Sequence, residues 1–156
     1  MMFIIKGKDI RALVENYYTG IGLETSSILN NSDLYEKEGK NQHAFCTSID
    51  KAGDVRILTN LRDNYNWTGT LLHELGHAVY DVNINHNLPF FLRDPAHIFT
   101  TEAIANFFGL MASDPGWMKK NLNISDEEAN VIAGDAKNVT IEKSIFSPLV
   151  PGHVQV

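Results

Sequence analysis

Apolar positions along the chain recur mostly at helical spacing. In GKDIRALVENYY (residues 7–18), Ile10, Leu13, Val14 and Tyr17 share one helical face, and Gly20 and Gly22 are expected to stop that helix. Residues 26–36 read as a short second helix, and the polar stretch 37–43 as a loop. The pattern then changes. HAFCTSID and VRILTNL are two β-rich runs joined through KAGD, which predicts a hairpin turning at Ala52 to Asp54. Helical spacing returns from Trp67 to about Val82, with Leu71, Leu72, Leu75 and Val79 on apolar positions, and 83–92 reads as a loop. Asp94 followed by Pro95 predicts an N-cap and first turn, for a helix running to about Ala112. Ser125 with Glu128 three residues later predicts a capping box for a last helix over about 126–145. The tail SPLVPGHVQV reads as irregular. The expected class is mainly α with a small antiparallel β hairpin or sheet (α+β), in a single domain over residues 1–156.

Composition narrows the possible functions. With 156 residues, 44% hydrophobic and 21% charged, the chain can form a globular core. Thirteen basic against nineteen acidic residues give a net charge of −6, which argues against nucleic-acid or anionic-membrane partners. The one cysteine, Cys46, cannot form an internal disulfide. No apolar run approaches the roughly 20 residues of a membrane span. The start, MMFIIKGKDIRAL, lacks the longer apolar stretch of a signal peptide. The expected location is therefore cytoplasmic.

The chemistry concentrates in LLHELGHAVYD. His73 and His77 are four apart on a predicted helix and fall about 40° apart on one face. Two imidazoles so placed can bind one Zn2+, and Glu74 between them can take a proton from a water on that ion. This is the HExxH arrangement of metallohydrolases. A catalytic site needs a third protein ligand. Downstream candidates are His86, Asp94, His97 and Glu102. Glu102, in the apolar sequence FTTEAIANFFG, fits best, because an acid in such surroundings is better explained as a ligand than as a solvated charge. His97 lies about 140° around the helix from Glu102 and reads as a capping or packing histidine. His86 and His153 fall in predicted loops. Asn106 and Asp81, each one turn from a ligand, are candidate partners for the ligand imidazoles. Gly76 costs about 1 kcal/mol in a helix interior and is explained if another backbone approaches closely there.

HELGH followed by TEAIANFFG resembles a gluzincin metallopeptidase. More narrowly, it is similar to the thimet oligopeptidase, oligoendopeptidase F and angiotensin-converting enzyme group. The upstream GKNQHAFCTSIDKAGDVRILTNL matches the loop and two strands that precede the zinc helix in those enzymes. The resemblance covers about residues 37–113. It implies a zincin-like fold, one zinc per chain on His73, His77 and Glu102, and Glu74 as general base. It also implies His43, Ala44 and Phe45 on an edge strand that holds the backbone of a short peptide substrate. The sequence departs from the group at Asn106, where several gluzincins have Asp. It also lacks the Tyr and His donors that the group supplies well after the third ligand. None of the five tyrosines follows Glu102.

The functional expectation is thus a zinc-dependent peptidase that hydrolyses short peptides slowly when alone. The alternative is a weakly active or non-catalytic zinc-binding remnant of an oligopeptidase, serving binding or regulation. Cys46 reads as a small buried hydrophobe. The aromatics Phe90, Phe91, Phe99, Phe107 and Phe108 read as core. Any of them left on the surface would favour a homo-oligomer.

Overall fold

The computed structural model describes residues 5–134. Two compact units are present: one runs up to Ala112 and the other begins at Ser113. The first unit contains helices α1 (Ile10–Gly20) and α2 (Ser26–Asn31), strands β1 (Asp33–Tyr35), β2 (Phe45–Ser48) and β3 (Val55–Leu61), helix α3 (Tyr65–Val82), a 3-10 turn at Phe90–Leu92 and helix α4 (Ile98–Leu110). The class is α+β, mostly helical with a small sheet.

The sequence pattern accounts for most of these elements. Asp9 caps α1 by accepting from the Ala12 N–H, and Gly22 leaves that helix at φ +83°. Asn64 caps α3 through Trp67 N–H, so the helix begins two residues before the expected Trp67. β2 and β3 form the expected antiparallel hairpin, with Cys46 opposite Ile57.

The third strand was not expected. Residues 26–36 do not form one helix. The helix ends at Asn31, and β1 follows, pairing parallel with β3 to give the sheet order β1-β3-β2. Ser32 sits at the changeover: its hydroxyl donates to Ile28 O and accepts from Ile57 N–H. Three residues carry too little pattern to announce a strand, and β3 supplies the partner that makes them one.

Lys40 locks this corner. Its side chain is buried, and its ammonium donates to the Asp33 and Tyr35 carbonyls at 2.8 Å and to Thr59 O. Asn60, also buried, donates to Asn41 O at 2.9 Å. The loop leading into edge strand β2 is therefore held from beneath.

The start of α4 also differs from expectation. Asp94–Pro95 does not open the helix. His97 is the N-cap, accepting from Phe99 N–H at Nδ1, and Asp94 instead pairs with Lys51. The helix ends at Leu110, before the expected Ala112, and a 3-10 turn follows. The same Asp-Pro signal does open a helix at Asp114–Pro115: α5 (Pro115–Leu122), capped by Asp114, lies in the second unit. Residues 126–134 are helical, and Ser125 and Glu128 form the reciprocal capping box. The expected continuation to about 145, the irregular tail and His153 lie outside the described residues.

The core of the first unit gathers on α3. Leu71, Leu72, Leu75 and Ala78 are fully buried, together with Val14 and Tyr18 from α1. The Tyr18 hydroxyl donates to Leu72 O at 2.7 Å. Among the five aromatics expected in the core, only Phe108 is buried. Phe90, Phe91, Phe99 and Phe107 are exposed. α4 is apolar on nearly every side, and α3 covers only the side carrying Ala105 and Phe108. A pattern without a polar face cannot show which side is covered.

Candidate metal centre

α3 and α4 approach closely because small residues line their contact. A Cβ built on Gly76 would lie 2.7 Å from the Ala105 Cα, and one on Gly109 would lie 3.4 Å from the His73 Cβ. Gly69 meets Ala112 and Gly109 in the same way. These pairings run in opposite directions along the two helices, so the helices are antiparallel. The close backbone approach expected at Gly76 is present, and it comes from α4.

This seam brings His73, His77 and Glu102 together. One ligand atom from each lies within 4.8 Å of the others. The two Nε2 atoms are 3.2 Å apart. The Glu102 carboxylate reaches His73 Nε2 at 3.7 Å and His77 Nε2 at 3.5 Å. Three donors at the usual zinc distances in a tetrahedral arrangement are about 3.3 Å apart, so this cluster needs little adjustment to hold such an ion. Electrostatics agrees with the geometry. Burial lowers the pKa of both histidines, against the opposing charge of Glu102. At neutral pH they are neutral imidazoles, the form that ligates, so their contacts with Glu102 are not ion pairs. Lone pairs converging on one point suit a metal ion. The chemistry of two imidazoles and one carboxylate fits zinc. Half of the Glu102 side chain remains accessible, so the centre is open to solvent on that side.

Glu74, on the same helix, is only 7% exposed. Burial, then the charge of Glu102, pushes its carboxyl up to about 7. Cys46 lies near enough to feel Glu74 and Asp81. Burial first, then those charges, raise its thiol pKa, so it is an unreactive thiol.

The outer residues are placed as follows. Asp81 has a buried Oδ1 without a hydrogen-bond partner, and burial raises its pKa. Asn106 is exposed. The side-chain partner of His77 Nδ1 is instead Thr101 Oγ1, at 2.7 Å. Thr101 carries a sequence signal of its own: Thr101, Ala105 and Phe108 follow i, i+4, i+7 spacing and share the face turned to α3. His86 is exposed in its loop, as expected, and His97 is the helix cap. Phe45 opens β2, which lies at the sheet edge; His43 and Ala44 immediately precede that strand.

Residues 33–107 match the family model described as carboxypeptidase Taq (M32) metallopeptidase. The match is to a metallopeptidase family. It spans the sheet, the HExxH helix and Glu102, and it supports zinc-metallopeptidase function in general. It does not single out the thimet oligopeptidase, oligoendopeptidase F and angiotensin-converting enzyme group. No curated protein matches the chain. Among the described residues, no helix is long and apolar enough to cross a membrane.

Proposed function

We propose that the chain is a zinc-dependent peptidase acting on short peptides, with His73, His77 and Glu102 as metal ligands and Glu74 as general base. The observation that carries this reading is the convergence of the two Nε2 atoms and the Glu102 carboxylate beside a buried glutamate. Bound there, zinc would supply a water of lowered pKa and polarise the substrate carbonyl. Glu74, with a carboxyl poised near neutrality, takes a proton as base and returns it to the departing amine. The free edge of β2, from Phe45 onward, offers backbone groups to an extended peptide, with His43 and Ala44 leading into it. The matched family is named for carboxypeptidase action, so removal of C-terminal residues is the first cleavage mode to assay.

The test is paired. Glu74→Gln keeps zinc and lowers peptide hydrolysis by about a hundredfold or more. Glu102→Gln weakens zinc binding by about tenfold or more. Loss of zinc from Glu74→Gln, or unchanged zinc affinity in Glu102→Gln, contradicts the assigned roles.

A second reading follows from the exposed aromatics. Phe90, Phe91, Phe99, Phe107 and Leu110 are each more than half exposed. A fully covered aromatic side chain buries about 150–250 Å², and these residues are already partly covered, so they supply only the apolar centre of the roughly 800 Å² per partner that a stable interface needs. Lys51 caps one end of the strip, its ammonium 5.1 Å from the Phe90 ring centre and paired with Asp94. A second copy covering it would wall the open side of the centre, and activity would then rise faster than linearly with protein concentration. Sedimentation across that range, beside the rate, checks this; a rate proportional to concentration in a monomeric sample rules it out.

A further inference from the structure

We infer that Thr101 is the positioning residue for His77, holding its ring with the proton on Nδ1 so that Nε2 faces the metal position. This rests on the metal-centre reading above. His77 Nδ1 and Thr101 Oγ1 are 2.7 Å apart, while His77 Nε2 faces both His73 and Glu102. A neutral imidazole has one N–H and one lone pair. An Nε2 that ligates leaves the proton on Nδ1, and the Thr101 oxygen is the acceptor in place there. The hydrogen bond fixes both the tautomer and the rotation of the ring about its χ2 axis. A ligand imidazole commonly has such an outer partner, and removing that partner typically costs tenfold to a hundredfold in metal affinity.

The placement has a further consequence. Thr101 and Glu102 are consecutive on α4, whereas both histidines are on α3. One short stretch of α4 therefore supplies the third ligand and also orients the second. A small slide of α4 along α3 disturbs two of the three ligands together. The tight contact of Gly76 with Ala105, one turn from Thr101, sets that alignment.

The experiment compares Thr101→Val and Thr101→Ser with the parent chain. Valine keeps the β-branched shape and removes the acceptor; serine keeps the hydroxyl. Zinc affinity is measured by competition with a chromophoric chelator. The His77 tautomer is read from ring nitrogen NMR shifts in zinc-free protein. The expected result is a tenfold to hundredfold loss of zinc affinity in Thr101→Val, a change within about threefold in Thr101→Ser, and a His77 tautomer shifted away from the Nδ1–H form in the valine variant only. Parent-like affinity in Thr101→Val overturns the role of Thr101 while leaving the centre intact. Equal losses in both variants overturn it as well, since they would report packing and not the hydrogen bond. A parent chain that binds no zinc overturns the centre itself, and the inference with it.

Discussion

Helices α3 and α4 hold the same centre, yet they meet solvent by different rules. α3 has a sided pattern: Leu71, Leu72, Leu75 and Ala78 are fully buried, and its polar ends are capped by Asn64 and Asn83. α4 is apolar nearly all round, with Glu102 as its one charged residue. Ala105 and Phe108 are buried, but Phe99 is 75% exposed and Phe107 57% exposed. The chemical side chains are treated differently too. Glu74 on α3 is buried and its carboxyl is pushed up to about 7, whereas Glu102 on α4 stands half open. The difference teaches that hydrophobic residues on a helix report a wish for burial, and only a polar opposite face reports which side obtains it.

The comparison can be broken at several points. The largest effect is expected on the buried side of α3. Leu72→Ala should cost about 2–5 kcal/mol in urea unfolding, as for other fully buried leucines. A cost below 1 kcal/mol would mean that this face is not the core.

The next effect depends on pH and belongs to Glu74. In zinc-free protein the folded chain keeps a proton on Glu74 that the unfolded chain releases between its ordinary value of 4.5 and about 7. The parent therefore loses stability relative to Glu74→Gln as pH rises through that window, by on the order of 3 kcal/mol at its upper end. Both chains share the histidine titrations, so the difference isolates Glu74. A stability difference that stays constant from pH 4 to 8 would show that Glu74 is not raised.

Gly76→Ala tests the seam between the helices. Its new Cβ would meet the Ala105 backbone at 2.7 Å, so α4 must move. The expected cost is about 1–3 kcal/mol, despite the better helix propensity of alanine. Zinc affinity should fall with it, because Thr101 and Glu102 move with α4. A stabilised Gly76→Ala chain would show that the helices sit further apart.

The smallest effect is expected on the outer side of α4. Phe107→Ser should change unfolding stability by no more than about 0.5 kcal/mol, as at other surface positions. The same substitution should weaken any self-association measured by sedimentation. A loss of several kcal/mol in a monomeric sample would place Phe107 in the core after all.

Much of this protein was legible in its sequence because the deciding interactions are local. Apolar spacing fixed α1 and α3, a Gly-containing turn between two β-rich runs marked the β2–β3 hairpin, and Ser125 with Glu128 announced a capping box that forms as expected. The pairing of His73 with His77 follows from helix geometry alone. Tertiary contacts decided the rest. β1 exists because β3 lies beside it, and three residues cannot encode that partner. Asp-Pro opens a helix at 114 but not at 94, where Lys51 draws Asp94 into an ion pair and His97 takes over the cap. Glu102 was a candidate by its surroundings, but only the glycine seam brings its carboxylate to the two imidazoles. The partner of His77 was decided in the same way: Asp81 is one turn away on the same helix, yet Thr101 reaches across from α4, where Asn106 instead faces solvent. Spacing along one helix constrains what shares a face; which atoms meet across two helices depends on how closely their backbones can approach.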